Sequence, residues 1–350
     1  MTTSDTASDY ASFTPLGRLR CIGRLAAATL RAYDLKVRSL RLYAFDTNPL
    51  YQVVTEALST TTGERFMLRL AYPGWRTLED LRAEAAWLEA LAADTDIGAP
   101  CVIRATNGEP VLPASGCGVP QALYPTPWYA TLMTWVEGRS LAHYLTPANL
   151  ERMGELFARL HLHGKAWVPP QDFTTKRFEA FLSRGEPNVL FEDRTLAAFR
   201  EEDRRAFTSA RGWVEREYAA LDRNDLRVIH CDLWHENIKV DHGRLRPFDF
   251  EDTIWGYRLH DIAMGMLDLL ETVGNDRYRD LLAALRCGYE RLLDWPRGNL
   301  EVLQIGRMLW KANWTARFLP ENLDALSQQY GEIFRNFEST GTLRLPGQLL

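Results

Sequence analysis

The 350-residue sequence has no excess of basic charge: 41 Lys and Arg stand against 46 Asp and Glu, a formal charge of −5. That balance gives no electrostatic footprint for a nucleic-acid backbone, and no basic stretch reads as an anchor for a membrane surface. Cysteine is scarce. Cys21, Cys101, Cys117, Cys231 and Cys287 are scattered and form no CxxC pair, so a reduced, cytoplasmic setting is the economical expectation. No uncharged apolar run approaches the roughly 20 residues that span a bilayer. The first residues, MTTSDTASDYASFTP, lack a cationic stretch followed by an apolar one. They do not read as a secretory signal and are expected to form a loose tail. HExxH and Cys/His ligand spacings are absent, which excludes a zinc reading of His230, His235 and His260. A GxSxG elbow is also absent, which argues against a serine hydrolase.

What is present is an ordinary soluble mixture, 46% hydrophobic and 25% charged, in a chain long enough for two units of common size. Helical periodicity from about Leu16 to Tyr33 gives way to strand-like runs at Leu40–Phe45, Tyr51–Ala57 and Arg65–Ala71, with turn chemistry between them. Thr77 can cap a helix in which Leu78, Leu81, Ala85, Leu88 and Leu91 share a face. Asn107-Gly108 between two short apolar runs predicts a two-residue hairpin, and Ala130–Val136 a further strand. Beyond Gly138 the pattern is helical: Asn149–His163, a charged helix before Asp225, then Ile262–Leu270, Tyr278–Leu293 and Leu300–Phe318. A weakly patterned stretch, Val168–Asp193, reads as loop or lid. The expected fold class is α+β. Residues 1–137 form an antiparallel sheet with an inserted helix, and residues 138–350 form a mainly helical part.

One segment interrupts the helical half. Val228-Ile229-His230-Cys231-Asp232-Leu233-Trp234-His235-Glu236-Asn237-Ile238-Lys239-Val240 leads through Asp241-His242-Gly243 to Arg244-Leu245-Arg246-Pro247-Phe248-Asp249-Phe250. It reads as strand, loop, short strand, tight turn, strand. The hairpin fixes Asn237 and Asp249 at either end of two paired strands, with Asp232 on the loop just before. Two carboxylates and a carboxamide are oxygen ligands of the kind hard Mg²⁺ prefers. The order H-x-D-L-x-x-x-N followed by D-F-x is the kinase pattern. Its His, Asp and Asn alone match by chance roughly once per 8,000 positions.

Through these residues the sequence resembles the aminoglycoside phosphotransferase and choline-kinase-like group of the protein-kinase-like superfamily, its homoserine-kinase-like and stress-response-kinase-like bacterial branch above all. The resemblance runs from about Leu40 to Asp261. It implies a bilobal protein-kinase-like fold with ATP in the cleft between the lobes, and ATP and Mg²⁺ as cofactors. Asp232 is then the catalytic aspartate that orients an acceptor hydroxyl, and Asn237 and Asp249 are the Mg²⁺ ligands. His230 braces the loop, and Asp261 anchors it. In the N-terminal part, Arg69 stands where the family has its phosphate-binding lysine. Strand alternation and helical spacing set it against the inward-facing Glu84. The alternative is two surface charges.

Arg69 for lysine is a departure, since arginine grips phosphate with a planar fork. The glycine-rich phosphate loop is replaced by Phe45-Asp46-Thr47-Asn48-Pro49-Leu50-Tyr51, in which Asn48 and Tyr51 match the Asn-x-x-Tyr-like turn of small-molecule kinases. Glu251 replaces the glycine of D-F-G, as is usual in that branch. Met133–Gly138 resembles the hinge, with the Thr134 carbonyl and Val136 amide toward adenine and Trp135 either there or in interlobe packing. The function implied is transfer of the γ-phosphate to a hydroxyl of a small molecule, without nucleic-acid or membrane partners. The acids Glu251, Asp252 and Asp261 point to an amine-bearing acceptor or, equally, to a solvated face supporting Mg²⁺. A serine/threonine protein kinase of the stress-response type and a non-catalytic nucleotide-binding regulator are the alternatives.

Overall fold

The computed structural model describes residues 13–45, 47–56, 63–114, 127–182 and 184–346. The first twelve residues, expected as a loose tail, with Asp46, Ala57, Cys117 and residues 59–62 of the turn at 59–64, lie outside them. The chain divides into two compact units, Met1–Glu137 with Pro169–Thr174, and Gly138–Val168 with Thr175–Leu350. The return of 169–174 to the first unit is a feature that a single linear boundary at 137 does not contain. No helix among the described residues is long and apolar enough to cross a membrane.

In the first unit, helix α1 (Pro15–Thr29) starts where the Thr14 hydroxyl accepts the Gly17 N–H at 3.1 Å. Strands β1 (Val37–Phe45), β2 (Pro49–Thr55) and β3 (Arg65–Ala71) follow, then helix α2 (Leu78–Asp94), β4 (Val102–Ile103), β5 (Leu112–Ala114) and β6 (Trp128–Thr134). The sheet is antiparallel in the order β1-β2-β3-β6-β4, with β5 also on β6. Period-two alternation decides its faces. Tyr51, Val53, Phe66, Leu68 and Leu70 join Ile22, Leu25 and Ala26 of α1 in one core. Ala71 packs instead with Leu81 and Ala85 of α2 and with Val111. Thr77 and Asp80 close a reciprocal capping box at the start of α2, at 3.1 and 3.2 Å.

The hairpin expected at Asn107-Gly108 does not form. A turn is there, with the Gly108 N–H on the Ala105 carbonyl at 2.8 Å, but β4 and β5 pair with β6 and not with each other. Val102 and Ile103 face Met133 and Leu132, and Leu112 to Ala114 face Ala130 to Trp128. The two pieces are therefore one edge strand interrupted by an excursion. The seven-residue β6, largely buried, offers more burial than a free-standing ribbon does.

The second unit contains β7 (Arg139–Ser140), α3 (Pro147–Ala166), α4 (Glu201–Ala220), β8 (Arg227–Ile229), β9 (Ile238–Asp241), β10 (Arg244–Pro247), β11 (Ile254–Gly256), α5 (Arg258–Glu290), α6 (Leu300–Phe318) and α7 (Leu323–Thr340). The strands form two small sheets, β10-β9-β7 and β11-β8. The two helices expected at 262–270 and 278–293 are present as the two arms of α5, separated at Gly274, whose φ +73° and ψ 171° are not helical. Helix α7 was not anticipated, although Tyr330, Ile333, Phe334 and Phe337 recur at helical spacing and are buried. The weakly patterned stretch after α3 is irregular up to a single turn at Asp193–Ala197. It is tied to α6 by Asn313, whose side chain accepts the Val189 and Leu190 N–H groups and donates to the Pro187 carbonyl.

Helices α3 and α5 meet backbone to backbone. A methyl group on Gly154 would lie 1.9 Å from the Leu285 carbonyl oxygen, and one on Gly288 1.8 Å from that of Glu151. The same closeness holds Gly164 of α3 against Val228 and Gly265 of α5 against Leu233. The two helices thereby grip β8 and the loop that follows it. Gly288→Ala is expected to cost about 1–3 kcal/mol or more, because neither partner is a side chain that can move aside. Gly212→Ala, where a methyl meets only the mobile Arg216 tip at 3.3 Å, should gain about 0.5–1 kcal/mol from helix propensity. Urea unfolding of the two variants beside the parent protein checks this, and equal midpoints would refute the close-contact account.

Candidate active site

The loop after β8 turns through Cys231, a non-glycine residue in the left-handed region at φ +66°. Such a conformation costs free energy and persists only where neighbours impose it. Here the neighbour is Asp261, in the first turn of α5 and fully buried. Its Oδ1 accepts the Cys231 N–H at 2.6 Å and its Oδ2 meets Nε2 of His161 at 2.9 Å. A carboxylate only accepts, so the His161 proton is on Nε2, and Nδ1 accepts the Tyr289 hydroxyl at 2.9 Å. His230 is held similarly. Nε2–H donates to the Phe248 carbonyl at 3.1 Å, and Nδ1 faces the Asp232 N–H at 3.3 Å. Burial pushes both imidazoles below their ordinary range.

Asp232 follows at once. The Asn237 amide donates through Nδ2 both to the Asp232 carbonyl and to its Oδ2, each at 2.9 Å. The other oxygen, Oδ1, accepts from Nη2 of Arg307 at 3.1 Å. Burial pushes the Asp232 carboxyl up to about 7, with Arg307 acting in the opposite direction. Asn237 closes a 3₁₀ turn immediately before β9, and the Phe248 N–H on its carbonyl at 3.0 Å extends the β9–β10 ladder by one rung. Asp249 comes next, at φ +62°. The hairpin thus brings Asn237 and Asp249 to its open end. With Nδ2 committed to Asp232, the Asn237 atom left for a cation is Oδ1. An amide oxygen beside a carboxylate suits a hard cation that takes its remaining ligands from phosphate and water. The described residues contain no group of three or more His, Cys, Asp or Glu able to hold a metal by themselves.

In the first unit, Arg69 and Glu84 pair in a buried fork, Nη1 to Oε1 at 3.1 Å and Nη2 to Oε2. Their side chains are 3% and 1% exposed, which removes the reading of two surface charges. The fork faces the carboxylate and not open space, so any phosphate has to share the guanidinium with Glu84. Asn48 is buried, and its side-chain oxygen accepts the Tyr72 N–H at 2.9 Å, fastening the turn before β2 to the end of β3. Thr134 exchanges two bonds of 2.9 Å with Cys101, by its N–H and its hydroxyl. Val136 lies two residues past the end of β6, half-buried. Trp135 packs edge-on against Tyr43, 5.0 Å between ring centres, within its own unit.

Two of the three acids that pointed to an amine-bearing acceptor are otherwise engaged. Asp261 is the loop clamp, and Asp252 pairs with Arg184 at 3.1 Å. The structure also adds groups that no motif marks. Lys311 of α6 bridges Asp268 at 2.9 Å and Glu271 at 2.6 Å on α5, and Arg307 lies one helical turn before it. The available signal was the pair Arg307 and Lys311, spaced i,i+4 on α6, opposite two acids spaced i,i+3 on α5.

An antiparallel sheet with a buried strand-to-helix ion pair, joined in one chain to a helical unit with this loop and hairpin, is the mark of the kinase-like phosphotransferases that use an alcohol group as acceptor. The chain belongs to the phosphotransferase enzyme family whose model, APH, matches residues 47–298, more than two thirds of its length. A comparison with curated protein sequences found no match. Among solved structures, a microcompartment-associated aminopropanol kinase superposes with a TM-score of 0.70 at 20% identity, over 92% of this chain and 99% of that one. An amicoumacin kinase, solved in complex with AMP-PNP, Ca²⁺ and Ami, gives 0.71 at 14% identity over 97% and 98%. A choline/ethanolamine kinase family protein from Mesorhizobium loti gives 0.56 at 20% over 97% and 96%. At these identities the likeness establishes a shared protein-kinase-like fold.

Four imidazoles are buried here, His161, His230, His235 and His260, all depressed by loss of solvent, His260 to about 3. Unfolded, each protonates near 6.5. The unfolded chain therefore binds more protons below about pH 6.5, and stability falls as pH drops from 7 toward 5. Each such histidine contributes up to about 1.4 kcal/mol per pH unit. Unfolding free energies measured at pH 7.5, 6.5 and 5.5 should show a shallower decline in His260→Gln than in the parent. Parallel slopes would mean that His260 is protonated in the fold.

Proposed function

We propose that this phosphotransferase moves the γ-phosphoryl group of ATP to a hydroxyl of a small molecule, with Mg²⁺ as the divalent ion. The observation that carries the reading is the carboxylate of Asp232, held on a clamped loop with each oxygen on a different donor. Asp232 orients the acceptor hydroxyl and takes its proton as the oxygen–phosphorus bond forms and the bond from phosphorus to the β,γ-bridging oxygen breaks, releasing ADP. Asn237, through Oδ1, and Asp249 would hold Mg²⁺, which would supply positive charge against that developing on the transferred phosphoryl group. The nucleotide analogue and Ca²⁺ in the amicoumacin kinase support the use of a nucleotide with a divalent ion. His230 and Asp261 act as braces, keeping the loop in its left-handed turn. In the first unit, Arg69, aligned by Glu84, grips phosphate, and Thr134 and Val136 offer a carbonyl and an amide to adenine, with Asn48 shaping the phosphate turn.

The protein-kinase alternative has less behind it, since the family and the aminopropanol, amicoumacin and choline kinase neighbours favour a small acceptor. A silent regulator would need a broken Asp232–Asn237–Asp249 set, and all three are in place. Asp232→Asn should fold and bind ATP yet lose phosphoryl transfer by ~10²–10⁴-fold, read as ADP formation with a panel of alcohols, amino alcohols and sugars. Parent-like turnover in that variant removes Asp232 from the mechanism. Asp249→Ala should lose Mg²⁺-dependent nucleotide affinity, and Asn237→Ala less, because only the first removes a charged ligand. Titration of each with Mg·ATP checks the order, and unchanged metal dependence in both makes the hairpin purely structural.

The Arg69–Glu84 pair allows a sharper test. Arg69→Lys keeps the charge but cannot span a carboxylate and phosphate with one ammonium. ATP binding should weaken by about 1–2 kcal/mol, the size of a lost charge-assisted bond. Glu84→Gln should lose less, and the double variant less than the sum, since one network is broken once. Calorimetric titration of ATP into the four proteins of this cycle measures it. Strict additivity, or no change, would put Arg69 outside the nucleotide site.

A further inference from the structure

Among the described residues, Arg307 is the one on the Asp232 carboxylate that comes from outside the loop and hairpin. It stands mid-helix on α6, 75 residues beyond Asp232, in a part of the chain that the family match, ending at residue 298, does not reach. Its Nη2 lies 3.1 Å from Oδ1, while Asn237 holds Oδ2 at 2.9 Å. A carboxylate fixed by a donor on each oxygen cannot spin about its Cβ–Cγ bond. With Arg307 absent, only the Asn237 end would be held.

The guanidinium is itself fixed. The Trp310 ring lies 4.4 Å from its central carbon, and Trp310 Nε1 donates to Glu186 at 3.1 Å. Stacking of that kind sets the plane of the fork. Other cations nearby are committed elsewhere, Lys311 to Asp268 and Glu271, and Arg184 to Asp252. The Nε–H of Arg307 is buried and has no hydrogen-bond partner among the described residues. A half-buried arginine that forgoes a bond at its buried Nε while making one at Nη2 is oriented by the position of Asp232, not by its own best pairing.

We propose that Arg307 is a positioning residue of the phosphoryl transfer: stacked on Trp310, it holds Oδ1 of Asp232 in the direction of the acceptor hydroxyl. This rests on the assignment of Asp232 as the base. The bond is a single contact at ordinary length on a side chain 19% exposed, so an arriving hydroxyl can share Oδ1 with Arg307 without displacing it.

The test is ADP formation with saturating acceptor from the alcohol panel, or with water as acceptor, over a range of ATP concentrations. In Arg307→Gln, kcat should fall about 10–100-fold, within the range for a positioned base, while KM for ATP stays within about 2-fold. Arg307→Lys should recover part of the loss, because an ammonium still reaches one oxygen. In the Asp232→Asn background, Arg307→Gln should cost no more than about 2-fold further, since both act through one group. Thermal melting of each variant separates misfolding from mispositioning. Parent-like kcat in Arg307→Gln overturns the inference. So does a loss that multiplies in full with that of Asp232→Asn, or one that appears equally in KM for ATP. If the parent protein forms no ADP with any acceptor or with water, the phosphotransferase reading fails first and this inference with it.

Discussion

The buried carboxylate of Asp261 is the constraint on which the second unit depends. It has no solvent contact, and it spends one oxygen on the backbone of Cys231 and the other on His161. Removing either partner would leave a buried charge with an unmet hydrogen bond, which costs more than the bond gains when made. The loop therefore has little choice of conformation. Cys231 is driven into a left-handed turn, and Asp232 leaves the end of β8 in a set direction. His161 carries the constraint outward to Tyr289, so that α3, β8 and both ends of α5 are fixed by one polar network inside an otherwise apolar core.

Close backbone packing makes that network rigid. Gly154 and Gly288 let α3 and α5 touch without side chains between them, and Gly164 and Gly265 let the same helices reach Val228 and Leu233 on either side of the turn. Contacts of this kind tolerate no slack, because interiors are packed to the density of crystals. The ends of the loop are thus set by van der Waals contact and its middle by hydrogen bonds. Phosphoryl transfer demands little covalent chemistry of a protein but demands accurate placement of hydroxyl, phosphate and metal. A loop that cannot wander serves that demand.

Charge in this unit is arranged in closed pairs. Asp252 with Arg184, Asp268 and Glu271 with Lys311, and Asp232 with Arg307 leave few acids unanswered around the loop. An acidic run in the sequence therefore overstated the field that an acceptor would meet. The first unit follows the same rule on a smaller scale, with Arg69 and Glu84 buried as a matched fork between a strand and the helix that covers it. Matched geometry is what lets two charges stay inside an apolar environment.

The sequence by itself determined the local parts. Alternation put Phe66, Leu68 and Leu70 on one face of β3 and Arg69 on the other, the Thr77 signal began α2 where the capping box stands, and H-x-D-L-x-x-x-N with D-F-x located the loop and hairpin. These are short-range patterns, set by strand and helix periods and by turn chemistry, and they survive in one dimension. Only the tertiary structure decided which segments meet. β4 and β5 pair with β6 because a largely buried strand outcompetes a ribbon, whatever Asn107-Gly108 prefers locally. The resemblance already made Asp261 an anchor of the loop, but which groups its carboxylate meets, the Cys231 N–H and His161, was decided by the burial of the start of α5. Arg307 reached Asp232 across 75 residues through the packing of α6. That contact follows from how helices settle on a shared core, and no spacing along the chain encodes it.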